Sequence, residues 1–240
     1  MDWMRLDKYL TQTAGMTRSE AKQCLKKGRV CVDGVIVKKP ETKIDVAHSE
    51  VTLDGKTCYY EKYTYLMLHK PQGVVSATED QREQTVLSLI KEPIRGLFPV
   101  GRLDKDTEGL LLLTNDGALA HALLSPRKHV DKCYYAILDG PVGKKEQEAF
   151  AQGLDIGDEK RTLPAVLTPA TAKDPFGVSI TIREGRFHQI KRMAKAVGRE
   201  VLYLKRISMG RLQLDERLAP GEYRALTKEE IQTLQKSGQR

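Results

Sequence analysis

The sequence is poor in aromatic side chains, with one Trp and four Phe, and its four cysteines are scattered. Cys24, Cys31, Cys58 and Cys133 form no C-x-x-C pair, so neither a zinc site nor a disulfide is expected, and each thiol reads as a small hydrophobe in a reducing compartment. The opening residues Met1-Asp2-Trp3-Met4-Arg5-Leu6-Asp7 hold no apolar run able to serve as a signal peptide, and no later stretch approaches membrane-spanning length. A soluble protein that stays in the cytoplasm is expected. Internal repeats, low-complexity tracts and coiled-coil heptads are also missing. His48, His69, His121 and His129 lack metal-ligand spacing and read as structural. Neither a metal nor a cofactor is expected.

What is present is a chain of 240 residues with 40% hydrophobic content, enough to bury a core in one domain or two. Forty Lys and Arg against 32 Asp and Glu leave a charge of +8, which favours an anionic partner such as nucleic acid. That excess is concentrated. Arg18 to Arg29 carries a local +4 and Arg183 to Arg206 a local +6, so the remainder is neutral to slightly acidic. Charge gathered at two places suits a polyanion held at two points better than general solubility does.

Leu6, Tyr9, Leu10 and Thr13 follow helical spacing and Gly15 stops the pattern. Thr17 and Glu20 form a capping box for a second helix whose inward stripe is Ala21, Cys24 and Leu25 and whose end is Gly28. Asp33-Gly34 between β-branched runs predicts a tight hairpin. Residues 1–60 thus read as a helix-helix-hairpin module. Arg18, Lys22, Lys26 and Arg29 fall on one helical face if the second helix runs to its end. They form either a basic ridge or an ordinary solvated face.

Residues 61–240 mix strands and helices. Strands are expected at Tyr63–His69, Gly109–Thr114, Lys132–Leu138, Val178–Ile182, Val201–Ile207 and Tyr223–Leu226. Helices are expected at Thr85–Lys91, Ala118–Leu124, Lys144–Gln152, Arg186–Val197 and Thr227–Lys236. The spacing is too irregular for a strict βαβ repeat, so an α+β domain with a mixed, largely antiparallel central sheet flanked by helices is expected.

Two stretches carry chemistry. In Gly101-Arg102-Leu103-Asp104-Lys105-Asp106-Thr107-Glu108-Gly109, a glycine-flanked charged loop runs directly into the apolar Leu110–Leu113. A loop braced by a buried strand can both expose and place a reactive group, although charges added for solubility read the same way. In Glu184-Gly185-Arg186-Phe187-His188-Gln189-Ile190-Lys191-Arg192-Met193, helical projection sets Phe187, Ile190 and Met193 on a packed face and His188, Lys191, Arg192 and Lys195 on a cationic one.

Residues 1–60 resemble an S4 RNA-binding domain through Arg5-Leu6-Asp7-Lys8-Tyr9-Leu10, Arg18-Ser19-Glu20-Ala21 and Gly28-Arg29-Val30 followed by Val32-Asp33-Gly34. The remainder resembles the RsuA/RluB/RluE/RluF family of bacterial rRNA pseudouridine synthases. The matches there are Lys70-Pro71-x-Gly73, the Gly101–Gly117 stretch, Lys132-x-Tyr134 and the Glu184–Met193 stretch. Ser125-Pro126 and Gly185–Gln189 look closer to the small-subunit member than to its large-subunit relatives.

The resemblance implies a pseudouridine synthase fold and conversion of a uridine in 16S rRNA. Asp104 is then the nucleophile, Tyr134 stacks on the target base, Lys191 is the cation facing the acid and Arg102 holds the extruded nucleotide or touches a phosphate. Arg5, Lys8, Arg18, Lys22, Lys26, Arg29, Lys70, Arg186, His188, Gln189 and Arg192 are expected to contact RNA. His188 could instead cap its helix. Asp106 and Glu108 are expected to be structural or solvated, and Tyr135, next to Tyr134 on the strand, to be core. The partner is ribosomal RNA or an assembly intermediate, and the chain is expected to act as a monomer without a membrane. Three other readings stay open: the same reaction on 23S rRNA, a non-catalytic rRNA-binding or assembly protein, and a glycosidase using Asp104 with Glu108, which leaves both cationic patches unexplained.

Overall fold

The computed structural model describes residues 3–60, 63–125, 128, 130–169 and 174–238. The chain divides into two compact units, Met1–Lys62 and Tyr63–Arg240.

In the first unit, β1 (Trp3–Arg5) leads into α1 (Leu6–Thr13) and α2 (Arg18–Lys26). The strands β2 (Val30–Val32), β3 (Val35–Ile36), β4 (Lys43–Asp45), β5 (Val51–Leu53) and β6 (Lys56–Thr57) follow. The capping box forms as expected: the Thr17 hydroxyl accepts from the Glu20 amide at 3.3 Å, and the Glu20 carboxylate accepts from the Thr17 amide at 2.7 Å. Asp33 and Gly34 both take positive φ, which lets β2 and β3 join through a two-residue turn. Leu6, Leu10, Ala21, Leu25, Val30 and Val51 fill the core. Strands as short as β1, β4 and β6 leave too little alternation to be read from sequence.

The second unit is built on β7 (Tyr65–Lys70), β8 (Phe98–Pro99), β9 (Glu108–Thr114), β10 (Lys132–Leu138), β11 (Val166–Pro169), β12 (Gly177–Ile182), β13 (Val201–Met209), β14 (Leu212–Gln213) and β15 (Tyr223–Ala225). Its sheet runs in the order β11-β12-β10-β13-β9-β7-β15, with β14 added to β13 and β8 to β9. Among these pairings β9 with β13 is parallel and the others are antiparallel. The expected mixed, largely antiparallel sheet is therefore what forms.

The four leucines of β9 are buried because the sheet is covered on both faces. Leu111 and Leu113 join Leu66, Leu68 and Tyr134 on the side packed by α4 (Lys144–Gln152) and α5 (Gln189–Ala196). Leu110 and Leu112 join Met67 on the side packed by α3 (Gly117–Leu124) and α6 (Lys228–Gly238). Alternate residues of a strand point to opposite faces, so an unbroken apolar run serves two cores.

Two expected helices differ. Thr85–Lys91 forms one 3-10 turn, Val86–Leu89, after which Ile90 is extended; this lets Leu87, Leu89 and Ile90 all pack on the core, which a single helical face could not do. The helix expected from Arg186 begins only at Gln189, because His188 takes a left-handed conformation with φ 47°.

The parallel crossing of β9 and β13 demands a glycine. Gly109 has φ +106°, and a Cβ there would lie 2.2 Å from the Arg206 carbonyl oxygen. Gly109→Ala is expected to lose about 3 kcal/mol or more, since backbone, not a flexible side chain, would have to give way. A thermal melt indistinguishable from wild type would show that the crossing can relax.

Candidate active site

The loop between β8 and β9 is clamped from beneath by buried polar side chains. Lys70, the last residue of β7, is 0% exposed, and its ammonium donates to the carbonyls of Pro71 and Asp104 at 3.0 Å, Lys105 at 3.3 Å and Thr107 at 2.9 Å. Burial pushes this ammonium down to about 8, against the pull of Asp106, Asp104 and Glu108. Ser76, also buried, donates to the Leu103 carbonyl at 2.9 Å and accepts from the Leu103 amide at 3.0 Å. The Gly73 amide reaches the Lys105 carbonyl at 2.8 Å. The residues on either side of Asp104 are thus fixed by main-chain bonds, while the Asp104 side chain stays 28% exposed.

That carboxylate opens onto a cleft of about 640 Å³ lined by Arg102, Tyr134, Phe187 and His188 among others. His188 Nε2 lies 3.7 Å from one carboxylate oxygen and Lys191 Nζ 3.8 Å from the other. Lys191 is closer to Asp106, which it meets at 2.6 and 2.7 Å. Burial raises the Asp106 carboxyl, but the Lys191 bond and charge outweigh this and hold it below its ordinary value. Asp106 is therefore more than a solvated bystander: it shares the cation expected to serve Asp104. Glu108 accepts from the Tyr203 hydroxyl at 2.7 Å, consistent with a structural part.

Tyr134 belongs to the core cluster and lines the cleft. Tyr135 corrects the expectation of a core residue. It is half-exposed on the opposite face of β10, packs edge-on against Tyr203, and its hydroxyl donates to Asp174. Both faces of β10 carry a tyrosine, and adjacency alone does not say which is buried.

Several residues expected to touch RNA are otherwise engaged. Lys70 has no exposed surface. Arg186 spends its guanidinium on Glu184, Asp158 and the carbonyls of Lys160 and Arg161. Arg192 binds the carbonyls of Ile156 and Phe187 and the Asp158 carboxylate. Gln189 is buried and bonds to Glu184 and the Arg186 amide. Glu184, Arg186, Gln189 and Arg192 together brace the loop ahead of α5, so of the expected cationic face Arg192 is consumed as scaffold, while His188 and Lys191 face the acids of the loop and Lys195 stays exposed. Arg102 is exposed at the cleft.

Phe187 also departs from its helical projection. It precedes α5, is 76% exposed and stacks on His188 with ring centroids 3.8 Å apart. Extrapolating the helix backward past a left-handed residue misplaced it. His188 makes no side-chain cap bond to α5. His69 is buried and bonds through Nδ1 to the Leu218 carbonyl at 2.7 Å, and His129 lies outside the described residues.

In the first unit Lys8, Arg18, Lys22 and Lys26 are exposed. Arg29 lies beyond the end of α2 and is tied to Asp54, and Arg5 forms a bidentate pair with the buried Asp7. Asp7 is held below its ordinary value by the Arg5 bond, against its burial.

The model of the family described as RNA pseudouridylate synthase matches residues 64–196, and that of the S4 domain matches residues 4–51. This chain belongs to the RNA pseudouridylate synthase family. It is 50% identical over 234 residues to a Bacillus subtilis (strain 168) protein named RNA pseudouridine synthase YtzG, covering 96% of this chain and 98% of that one. It is 45% identical over 231 residues to the Escherichia coli (strain K12) protein named ribosomal small subunit pseudouridine synthase A, covering 95% and 98%. A solved structure described as a pseudouridylate synthase superposes with a TM-score of 0.67 at 38% identity, covering 96% of this chain and 99% of that one. Family membership and the cleft coincide, since the matched segment holds Lys70, Asp104, Tyr134 and Lys191.

The clamp beneath the loop predicts a separable effect. Lys70→Met leaves several buried carbonyls unpaired and is expected to cost about 3 kcal/mol, or roughly 6–12 °C in melting temperature for a unit of this size. kcat should fall more than KM rises, because RNA does not reach Lys70. A KM effect alone would contradict its burial.

Proposed function

We propose that the chain converts one uridine of small-subunit ribosomal RNA to pseudouridine, with Asp104 as the nucleophile. The observation that carries this reading is a single partly exposed carboxylate, on a loop whose main chain is pinned by Lys70 and Ser76, opening onto a cleft beside His188 and Lys191. Lys191 sets a positive charge 3.8 Å from the carboxylate that is to attack the sugar. One carboxylate suffices because the uracil is retained and rejoined, and no water has to be activated as in glycoside hydrolysis.

A paired or stacked uridine reaches such an acid only when extruded from its helix. Tyr134, lining the cleft, is suited to lie against the base. Arg102 at the rim is suited to occupy or brace the space it leaves, and the exposed Phe187–His188 stack offers a flat surface to a base. Lys8, Lys22 and Lys26, with Arg18 at 3.8 Å from Asp7, are the exposed cations of the first unit best suited to phosphates, whereas Arg5 and Arg29 must surrender bidentate carboxylate partners to take part. The small-subunit substrate is supported by similarity to the relative named for it. The chain is taken to act as a monomer in the cytoplasm.

Asp104→Asn is expected to abolish pseudouridine formation on a small-subunit rRNA transcript while changing RNA affinity by less than about threefold, since carboxylate and amide are nearly isosteric. Retained activity would remove the assignment. Site-mapped pseudouridine in both rRNAs of a deletion strain decides between subunits, and a loss confined to the large-subunit RNA would redirect the substrate. For the first unit, the triple substitution Arg18→Gln, Lys22→Gln, Lys26→Gln should lower the slope of log affinity against log salt by about 2 to 3, or roughly 0.7–0.9 per lost phosphate contact. An unchanged slope would show that this ridge does not face RNA.

A further inference from the structure

The floor of the cleft holds two cations that the reaction as described leaves unused. Arg206 on β13 is 1% exposed, and Lys132 at the start of β10 is also buried. Both line the same cleft as Asp104 and Tyr134. The register places Arg206 directly across from Tyr134 on neighbouring strands, so the two side chains belong to one face of the sheet. Arg206 donates through Nε to the Leu110 carbonyl at 2.7 Å, yet its Nη2 is buried with no hydrogen-bond partner among the described residues. Lys132 donates to the Val130 carbonyl at 3.2 Å. Among the described residues, neither side chain pairs with a carboxylate. Burial, and then the charge of Arg206, push the Lys132 ammonium down to about 8, against the pull of Asp131 and Glu184.

Two buried positive charges side by side, with Asp131 and Glu184 acting on Lys132 from beyond contact distance, are costly, and a fold that keeps them in a ligand-sized cleft is arranged for a negative charge that arrives there. Ile182, Leu204 and Tyr134 stand beside them. An apolar and aromatic lining suits a flat heterocycle with delocalised charge better than a strongly hydrated phosphate.

We propose that Arg206 and Lys132 stabilise the uracil ring as an anion when it parts from the sugar, an assignment that rests on the pseudouridine-forming reading above. In that step the N1–C1′ bond breaks and its electron pair stays on the ring, while the Asp104 carboxylate bonds to C1′. The charge spreads over the ring nitrogens and the carbonyl oxygens, which accept from the guanidinium and ammonium. The ring then turns, C5 returns an electron pair to C1′, the carboxylate departs, C5 loses its proton to solvent and N1 takes one up. Donors fixed in advance where charge develops lower the barrier without reorganising, and removal of one such donor typically slows an enzyme about 10²–10³-fold.

Arg206 also ties β13 to β9, so Lys132 carries the test. Lys132→Met keeps the length and removes the charge. Single-turnover loss of the target uridine is followed on a small-subunit rRNA transcript and on the same transcript carrying 5-fluorouridine, whose ring bears negative charge more readily. The expected result is RNA affinity within about twofold of wild type, a rate lower by about 10²-fold on uridine, a clearly smaller penalty on 5-fluorouridine, and recovery of most of the rate in Lys132→Arg. Equal penalties on the two substrates would overturn the proposal, as would a loss of affinity with a shallower salt slope, which marks a phosphate contact. Should Lys132→Met fold poorly, Lys132→Gln undergoes the same comparison. A wild-type enzyme inactive on the uridine transcript removes the parent reading as well, whereas an active one with equal penalties removes only this assignment.

Discussion

The candidate site depends on one buried ammonium. Lys70 reaches four carbonyl oxygens from the end of β7, three of them on the loop that carries Asp104. A loop has no ladder to satisfy its carbonyls, and a charged donor beneath it supplies what a neighbouring strand would otherwise give. The arrangement allows the acid to be partly open to solvent and yet fixed at its backbone. Ser76 does the same work one residue earlier, at Leu103.

Above this support the charges are graded by exposure. At the mouth, Arg102 is open to solvent and pairs with no carboxylate among the described residues, while His188 and Lys191 bracket the acid at 3.7 and 3.8 Å. Asp106 takes the nearer share of Lys191, so that cation sits against Asp106 and acts on Asp104 from the longer distance. Around the loop ahead of α5, Arg186 and Arg192 are neutralised by Asp158, and Arg186 also by Glu184. What looked in the sequence like a uniform patch of +6 separates into scaffold ion pairs, a cation beside the acid and a deeply set Arg206.

The sequence made the long strands, the capping box at Thr17 and the Asp33-Gly34 hairpin legible, because periodicity and turn chemistry are local properties. It also marked the Gly101–Gly109 loop through the abrupt passage from charges to leucines. Three kinds of information were not local. Whether a lysine faces solvent or a set of carbonyls depends on what folds over it, so Lys70 read as an RNA contact. Which arginines remain free depends on acids distant in sequence, such as Asp158 for Arg192 and Asp54 for Arg29. Phe187 was drawn into a helix that a left-handed His188 stops short, and no residue type forces that conformation at a histidine. Tyr134 and Tyr135 alternate as any strand does, but the choice of inner face belongs to the sheet.

The parallel contact between β9 and β13 has a bearing on biosynthesis. The strand that follows the Asp104 loop can pair early with β7 and β8, but it gains β13 on its other side only after most of the second unit has been made, because Gly109 must settle against Arg206. Pairings between segments so distant in the chain form late and slowly. A nascent polypeptide can complete the small leading module and set Lys70 and Ser76 beneath the acid-bearing loop while His188, Lys191 and the β13 wall of the cleft are still to be made, so the surroundings of the acid close only late in synthesis.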